Sequence, residues 1–349
     1  ILGMATRYAE SLLAVKFRVR DAEGKMSGGP MVYIEHGLGA RWRWLGVTFA
    51  AFGAVAAFGI GNMVQANAVA SNVSKLFESS GGVSPWVTGT SLALLTALVV
   101  LGGIRTIAKT ASVLVPFMAL FYLSGCLWIV FSRIGDVPEA LATICQSAFS
   151  GSAAAGGFTG ATVLLAMRMG VARGVFSNEA GLGSSPIAAA AAETDEPVEQ
   201  AAISMTGVLL DSLVVCTLTG LTLVLTGVWT QGADAAGSMA QSAFQAGIHP
   251  SIGKIIAGVG VITFAYSTIV GWAYYGERCI AHLFGTRVIP AYRVAWVTAV
   301  VVGAVGGLQI VWNIADILNA LMALPNLVAL LALSGVVAAE SRRYWSRNP

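Results

Sequence analysis

The sequence has little charge for its length. Asp, Glu, Lys and Arg make up 11% of the 349 residues, whereas roughly 25% is usual for a soluble domain. Hydrophobic residues make up 56%, and the mean hydropathy is +0.76. This composition excludes an ordinary soluble protein and indicates a polytopic membrane protein.

Sequence motifs for catalysis and nucleotide binding are absent. The chain contains no HExxH, no GxSxG and no P-loop, and its three histidines lie in or beside loops. Its four cysteines, Cys126, Cys145, Cys216 and Cys279, are scattered without a CxxC pair or metal-ligand spacing. The sequence therefore predicts neither an enzyme nor a nucleotide-driven pump, and it predicts no cofactor.

Long apolar runs divide the chain into membrane spans. Eight runs reach or approach the roughly 17 to 25 residues that a transmembrane helix requires. They lie at 45–70, 87–103, 112–131, 146–167, 201–229, 252–275, 293–308 and 312–337. Residues 1–14 resemble the end of a helix whose beginning lies upstream. We therefore expect one all-α transmembrane domain over 1–349, truncated at its N-terminus.

The basic residues give these spans an orientation. With the first loop placed inside the cell, 17 of the 20 Lys and Arg residues fall in cytoplasmic segments, and only Lys75, Arg133 and Lys254 lie outside. Cytoplasmic loops of membrane proteins carry such an excess of Lys and Arg. The pattern predicts eight complete spans in the cell (inner) membrane, with both ends of the chain cytoplasmic.

The segment 58–70 holds three amides inside an apolar run. Asn62 and Gln65 are three residues apart and would share one face of a helix, whereas Asn67 points elsewhere. A buried amide without a partner costs on the order of 1 to 3 kcal/mol, so these groups must face protein, water or a ligand. The residues alone leave two interpretations open, which are hydrogen bonding between membrane helices and contact with a substrate.

A glycine-rich stretch in the run at 146–167 is a second candidate. Gly156 and Gly157, next to Phe158, could let a helix unwind and expose backbone groups to a ligand. A packing seam of small residues is the alternative.

Polar side chains in other spans are further candidates. Thr263 and Ser267 are four residues apart, so their hydroxyls could offer oxygen ligands to a small cation, or could bond back to their own helix. Asp211 and Asp316 lie within apolar runs, where a carboxylate is expensive to bury. Each is a functional candidate. The alternatives are structural pairing for either residue and, for Asp316, a position at an interfacial helix end.

Five segments, taken in order, resemble motifs of the alanine/glycine:cation symporter family. They are GGPMVYIEHGLG at 28–39, GIGNMVQAN at 59–67, GVARGVFSNEAGLGSSP at 170–186, FAYSTIVGWAYYGE at 264–277 and WNIADILNALMALPNL at 312–327. The resemblance implies a LeuT-type bundle of two inverted repeats that imports a small amino acid, alanine or glycine, with sodium as the coupling ion. It also implies that the family's first, broken helix is missing from this chain, so that the chain as given would not transport.

The resemblance also implies roles for individual residues. The bound amino acid would be bordered by Asn62, Gln65, Gly156, Gly157, Phe158 and Trp272. Sodium would be bound by hydroxyl ligands in a partial site made of Thr263, Ser267 and Thr268.

A cytoplasmic segment completes the expected arrangement. Arg173, Asn178 and Glu179 are expected to form an inner gate or packing element without contacting the ligand. A non-transporting amino-acid sensor or a gated channel on the same bundle is the alternative function. The confinement of polar residues to mid-membrane clusters and the lack of a signalling domain favour the transporter.

Overall fold

The structure is a computed structural model, and it describes residues 2–21, 24–149, 170–171, 174–231, 238–306 and 309–347. Most of these residues are helical, since a helix satisfies its backbone hydrogen bonds internally, as the membrane interior demands. A small antiparallel hairpin in the first loop is the exception. Its strands are β1 (Val19–Arg20) and β2 (Met26–Ser27), with Val19 opposite Ser27.

The structure describes fifteen α-helices. The α-helices are α1 (Leu2–Lys16), α2 (Pro30–Leu38), α3 (Arg43–Ala56), α4 (Val64–Leu76), α5 (Pro85–Val100), α6 (Gly103–Ser132), α7 (Val137–Phe149), α8 (Ser185–Ala189), α9 (Pro197–Val208), α10 (Cys216–Leu225), α11 (Met239–Gly247), α12 (Pro250–Phe284), α13 (Ile289–Val305), α14 (Gln309–Ala332) and α15 (Ser334–Arg347). Short 3-10 turns lie at Ala40–Trp42, Glu78–Ser80, Ile134–Asp136, Val228–Gln231 and Thr286–Val288. Two π-helical segments, Ala57–Met63 and Leu209–Val215, join α3 to α4 and α9 to α10.

Six of the described helices are long and apolar enough to cross a membrane. They are Ala40–Leu76, Gly103–Ser132, Pro197–Leu225, Pro250–Phe284, Thr286–Val305 and Val311–Ala332. Each coincides with one of the eight expected spans. The expected span at 87–103 corresponds to the shorter apolar helix α5, and that at 146–167 lies outside the described residues except for its first few.

One expected span is longer than the helix observed there. The apolar run at 312–337 predicts a single helix, but α14 ends at Ala332 and α15 begins at Ser334. Residues 335–339 are still apolar, and the charged residues begin at Glu340 and continue with Arg342 and Arg343. A strongly charged segment is costly to place in hydrocarbon, so the membrane helix ends before it.

The long helix Ala40–Leu76 packs against α12, α13 and α14, and also against α2 and α5. Glycines allow this close approach. A Cβ on Gly59 would lie 2.8 Å from the Ala315 Cβ on α14, and one on Gly61 would lie 2.3 Å from the Trp272 Cβ on α12. Because both distances are shorter than real Cβ contacts, a larger residue at either position would push the helices apart.

Candidate functional site

The π-helical segment Ala57–Met63 lies within the stretch that the sequence singled out. Its hydrogen bonds reach one residue further than in an α-helix, as shown by the Val64 N–H donating to the Gly59 carbonyl. Single π-helical turns are rare and are frequently found at functional sites. In an α-helix, residues three apart such as Asn62 and Gln65 share one face. Because Asn62 lies in a π-helical segment, whose turns are wider, this spacing does not hold strictly here.

Asn62 and Gln65 differ in their surroundings. Asn62 is completely buried, and its Nδ2 donates to the Trp296 carbonyl on α13 at 2.8 Å. Its Oδ1 has no hydrogen-bond partner in the part of the chain that the structure describes. Gln65 is half-buried, and its Nε2 donates to the Ile60 carbonyl at 3.1 Å, within the same helix. Gln65 is thus the more accessible of the two to a ligand.

Trp272 contacts both the π-helical segment and the segment around Glu179. The Cβ of Trp272 faces Gly61, and only 5% of the residue is exposed. Its indole Nε1 donates to Glu179 Oε1 at 3.1 Å, and its ring meets Tyr275 edge-on with centroids 5.5 Å apart. The structure therefore brings together two residues to which the sequence assigns separate roles, a pocket wall and an inner gate.

The segment around Glu179 interrupts a helix. Residues 174–178 are helical, residues 179–184 are not, and α8 begins at Ser185. Glu179, Gly181 and Gly183 have φ values of 54°, 91° and 80°, which is the left-handed region that ends helices. The break expected at Gly156, Gly157 and Phe158 lies outside the described residues, as does Arg173. This described break, at 179–184, is the one that adjoins Trp272.

A buried carboxylate holds this break in place. Glu10 on α1 is completely buried, and its Oε1 accepts hydrogen bonds from the Gly181 and Gly183 N–H groups at 3.0 and 3.1 Å. Asn326 on α14 donates to the same oxygen at 2.6 Å and is bonded in turn by the Tyr33 hydroxyl. These bonds tie α1, the break, α14 and α2 together.

Glu10 and Asn326 are residues that reasoning from the sequence missed. A signal was available for Glu10, because it is a lone carboxylate in the apolar stretch Tyr8–Val15. The same criterion picks out Asp211 and Asp316. Asp211 lies in the second π-helical segment, where both of its oxygens accept from the Ser177 hydroxyl at 2.9 Å, and Asp316 is exposed on α14.

Glu179 is held from its other side by polar groups. Its Oε2 accepts from the Ser184 hydroxyl at 3.1 Å and lies 3.8 Å from the Arg7 guanidinium. Burial raises the pKa of the Glu179 carboxyl above its ordinary value, against the opposing effects of Arg7 and of the Ser184 and Trp272 hydrogen bonds. Trp272 thus contacts a carboxylate that Arg7 of α1 and Ser184 of the break also contact.

The three hydroxyls of the expected sodium site all bond back to their own helix. Thr263 donates to the Val259 carbonyl at 2.8 Å, while Ser267 and Thr268 both donate to the Phe264 carbonyl, at 2.8 and 3.0 Å. All three residues are half-buried. In these bonds each hydroxyl acts as the donor. Its oxygen lone pairs therefore remain available to coordinate a cation.

Charged residues form a separate cluster at the ends of α12 and α13. Arg278 donates to Asp21 and to Glu277, both at 2.8 Å, and Arg293 donates to the second Glu277 oxygen at 2.7 Å. A cavity of about 560 Å³ opens beside this cluster and is also lined by Arg105. The site residues Asn62, Gln65, Trp272, Thr263, Ser267 and Thr268 are not among its lining residues.

Comparison with known proteins gives a consistent result over the whole chain. Residues 1–348 match the model of the sodium:alanine symporter family. An uncharacterised transporter of Haemophilus influenzae is 51% identical over 348 residues, which cover 99% of this chain and 75% of that protein. The sodium/alanine symporter AgcS of Methanococcus maripaludis is 50% identical over 349 residues, which cover 98% of this chain and 74% of AgcS. The amino-acid carrier protein AlsT of Bacillus subtilis is 37% identical over 344 residues, which cover 98% and 71%.

Proposed function

Because this chain belongs to the sodium:alanine symporter family, we propose that it carries a small neutral amino acid, alanine or glycine, into the cell together with sodium. Members of this family are transporters and not enzymes, in agreement with the missing catalytic motifs. The observation that carries the proposal is the 50% identity with a sodium/alanine symporter over nearly the whole chain.

The contact between the π-helical segment and Trp272 supports a substrate site at this position. A zwitterionic substrate with a short side chain needs polar partners beside a tight apolar wall. Gln65 is a half-buried amide, the unpaired Asn62 Oδ1 is a buried acceptor, and Trp272 supplies an aromatic surface. Gly156, Gly157 and Phe158 belong to the same proposal, from the family resemblance alone.

The sodium site is proposed at Thr263, Ser267 and Thr268. Sodium is a hard cation that prefers oxygen ligands, and three hydroxyls within two turns of α12 offer them. Trp272 lies one turn further along this helix, so cation and substrate would be close enough for one to influence the binding of the other.

The overall arrangement is proposed to be a LeuT-type bundle with eight spans and a cytoplasmic location for both ends of the chain. The distribution of basic residues supports this orientation. So does the clustering of Asp21, Glu277, Arg278 and Arg293, since all four fall on the side expected to be cytoplasmic.

Binding of radiolabelled alanine to the purified full-length protein tests this function. We expect saturable binding in sodium chloride and little binding in potassium chloride at equal ionic strength. Unlabelled glycine should compete, and a bulky amino acid such as tryptophan should not. Binding that is indifferent to sodium would contradict the proposed coupling, and the absence of binding would contradict the proposed substrate.

A further inference from the structure

The indole of Trp272 is held at two points. Its Cβ is pressed against Gly61, where even a single added methyl carbon would come within 2.3 Å. At the far end of the side chain the indole N–H donates to Glu179 at 3.1 Å. The first contact fixes where the side chain starts, and the second fixes the direction in which the ring extends.

Glu179 is well suited to be a fixed acceptor. One carboxylate oxygen serves the indole, while the other accepts from Ser184 and faces Arg7. Its backbone has a φ of 54°, a conformation in which a non-glycine residue persists only when its surroundings hold it. The next turn of chain is anchored by Glu10 through the Gly181 and Gly183 N–H groups.

We propose that Glu179 is a positioning residue for the amino-acid site, because it accepts the indole N–H and thereby sets the orientation of Trp272 and the space left for the substrate side chain. This inference rests on the proposed function, in which Trp272 borders the substrate. It assigns Glu179 a role in substrate selection that acts through Trp272, without direct contact between Glu179 and the ligand. Without its acceptor, the buried indole N–H would be left unpaired, and the ring would turn to find another partner.

A double-mutant cycle tests the proposal. Glu179→Met removes the acceptor while keeping the side-chain volume similar, and Glu179→Gln keeps an acceptor oxygen. We expect Glu179→Met to weaken alanine binding about tenfold, the factor that corresponds to one lost hydrogen bond to a charged group, and Glu179→Gln to retain most of the affinity. In a Trp272→Phe background, which has no indole N–H, Glu179→Met should change the affinity less than about twofold. An equal loss in both backgrounds would overturn the proposal.

Ser184→Ala is the matched control, because it removes a hydrogen bond to the same carboxylate but on the oxygen away from Trp272. It should weaken alanine binding much less than Glu179→Met. A loss as large as that of Glu179→Met would overturn the proposal, since it would show that any disturbance of the carboxylate has the same effect.

A spectroscopic measurement separates this inference from the proposed function. With 5-fluorotryptophan incorporated, the ¹⁹F resonance of Trp272 can be assigned as the one that Trp272→Phe removes. Glu179→Met should shift this resonance and leave the other tryptophans unchanged. If Glu179→Met does not insert, Glu179→Gln replaces it, because an amide oxygen is a weaker acceptor than a carboxylate and should also move the resonance. If the resonance does not move, the inference is overturned even if the protein binds alanine. If the protein binds no alanine, the proposed function fails, but the shift would still show that Glu179 positions Trp272.

Discussion

The side-chain nitrogen of Asn62 lies 2.8 Å from the backbone carbonyl oxygen of Trp296 on the neighbouring helix. This hydrogen bond joins the π-helical segment to α13, while the Asn62 Oδ1 on the same amide has no partner within the described ranges. The nitrogen thus serves helix packing, whereas the oxygen is the end of the amide that is available for the proposed contact with a ligand.

Asn62→Ala should lower the free energy of unfolding by about 1 kcal/mol, the usual net value of one hydrogen bond, and should lower the midpoint of thermal unfolding in detergent. Asn67→Ala is the control, since Asn67 donates to the Gly306 carbonyl at a longer 3.2 Å and is only half-buried. Asn67→Ala should cost less stability. An equal loss for both variants would argue against a structural role that is specific to Asn62.

Gln65→Ala should weaken alanine binding about tenfold or more, as expected when a polar partner of a bound zwitterion is lost. Its stability should stay within about 1 kcal/mol, because the hydrogen bond to Ile60 is local to one helix. The measurement is alanine affinity in sodium chloride on a correctly inserted protein. Unchanged affinity would assign Gln65 to helix packing alone.

Gly61→Ala should destabilise the protein by about 1 to 3 kcal/mol and reduce alanine affinity, since its Cβ would clash with Trp272. Gly271→Ala is a matched control on α12, next to Trp272, where an added Cβ meets nothing within 4 Å. That variant should keep or slightly raise stability, because Ala favours helix more than Gly does. Thermal unfolding and alanine binding of both variants check this, and similar behaviour of the two would contradict the close contact.

Ser267→Ala combined with Thr268→Val should raise the sodium concentration needed for half-maximal alanine binding, because two oxygen ligands of the proposed site are removed. Stability should change little, since both hydroxyls bond only to the Phe264 carbonyl of their own helix. Thr298→Val provides the comparison, because the Thr298 hydroxyl also bonds within its own helix, at Val294, but is exposed. If the double variant has the same sodium dependence as Thr298→Val, Ser267 and Thr268 do not bind the cation.

Glu277→Ala should be strongly destabilising, by about 3 to 5 kcal/mol, because it leaves the buried Arg278 and the partly buried Arg293 without their shared carboxylate. Glu340→Ala breaks ion pairs with two more exposed residues, Lys16 and Arg343. Such pairs contribute about 0 to 1 kcal/mol. Thermal unfolding of the two variants should therefore differ clearly, and comparable losses would contradict a structural role for the buried cluster.

The membrane-spanning helices could be predicted from the sequence because apolar length is a strong local signal. Six expected spans coincide with long apolar helices, and α5 matches a seventh although it is shorter. The π-helical turn at Ala57–Met63 was not predicted, and within it Gly59 and Gly61 pack closely against α14 and α12. Such contacts join residues far apart in sequence.

The candidate site was predictable in its residue types but not in its connections. Motifs pointed to Gln65, Trp272 and Glu179 separately, and the hydrogen bond between Trp272 and Glu179 spans 93 positions. Glu10 was missed for a related reason, since its partners Gly181, Gly183 and Asn326 lie more than 170 residues away. Pairing of a buried carboxylate is a property of the folded bundle, so sequence can mark the residue without naming its partners.

Uptake of radiolabelled alanine into proteoliposomes tests the central claim most directly. With an inward sodium gradient, the reconstituted full-length protein should accumulate alanine above its external concentration, and a sodium ionophore or replacement of sodium by potassium should abolish the accumulation. Gln65→Ala serves as the inactive comparison, and AgcS of Methanococcus maripaludis as the active one. Accumulation that persists without a sodium gradient, or its absence under conditions where AgcS accumulates alanine, would contradict sodium-coupled import of alanine by this protein.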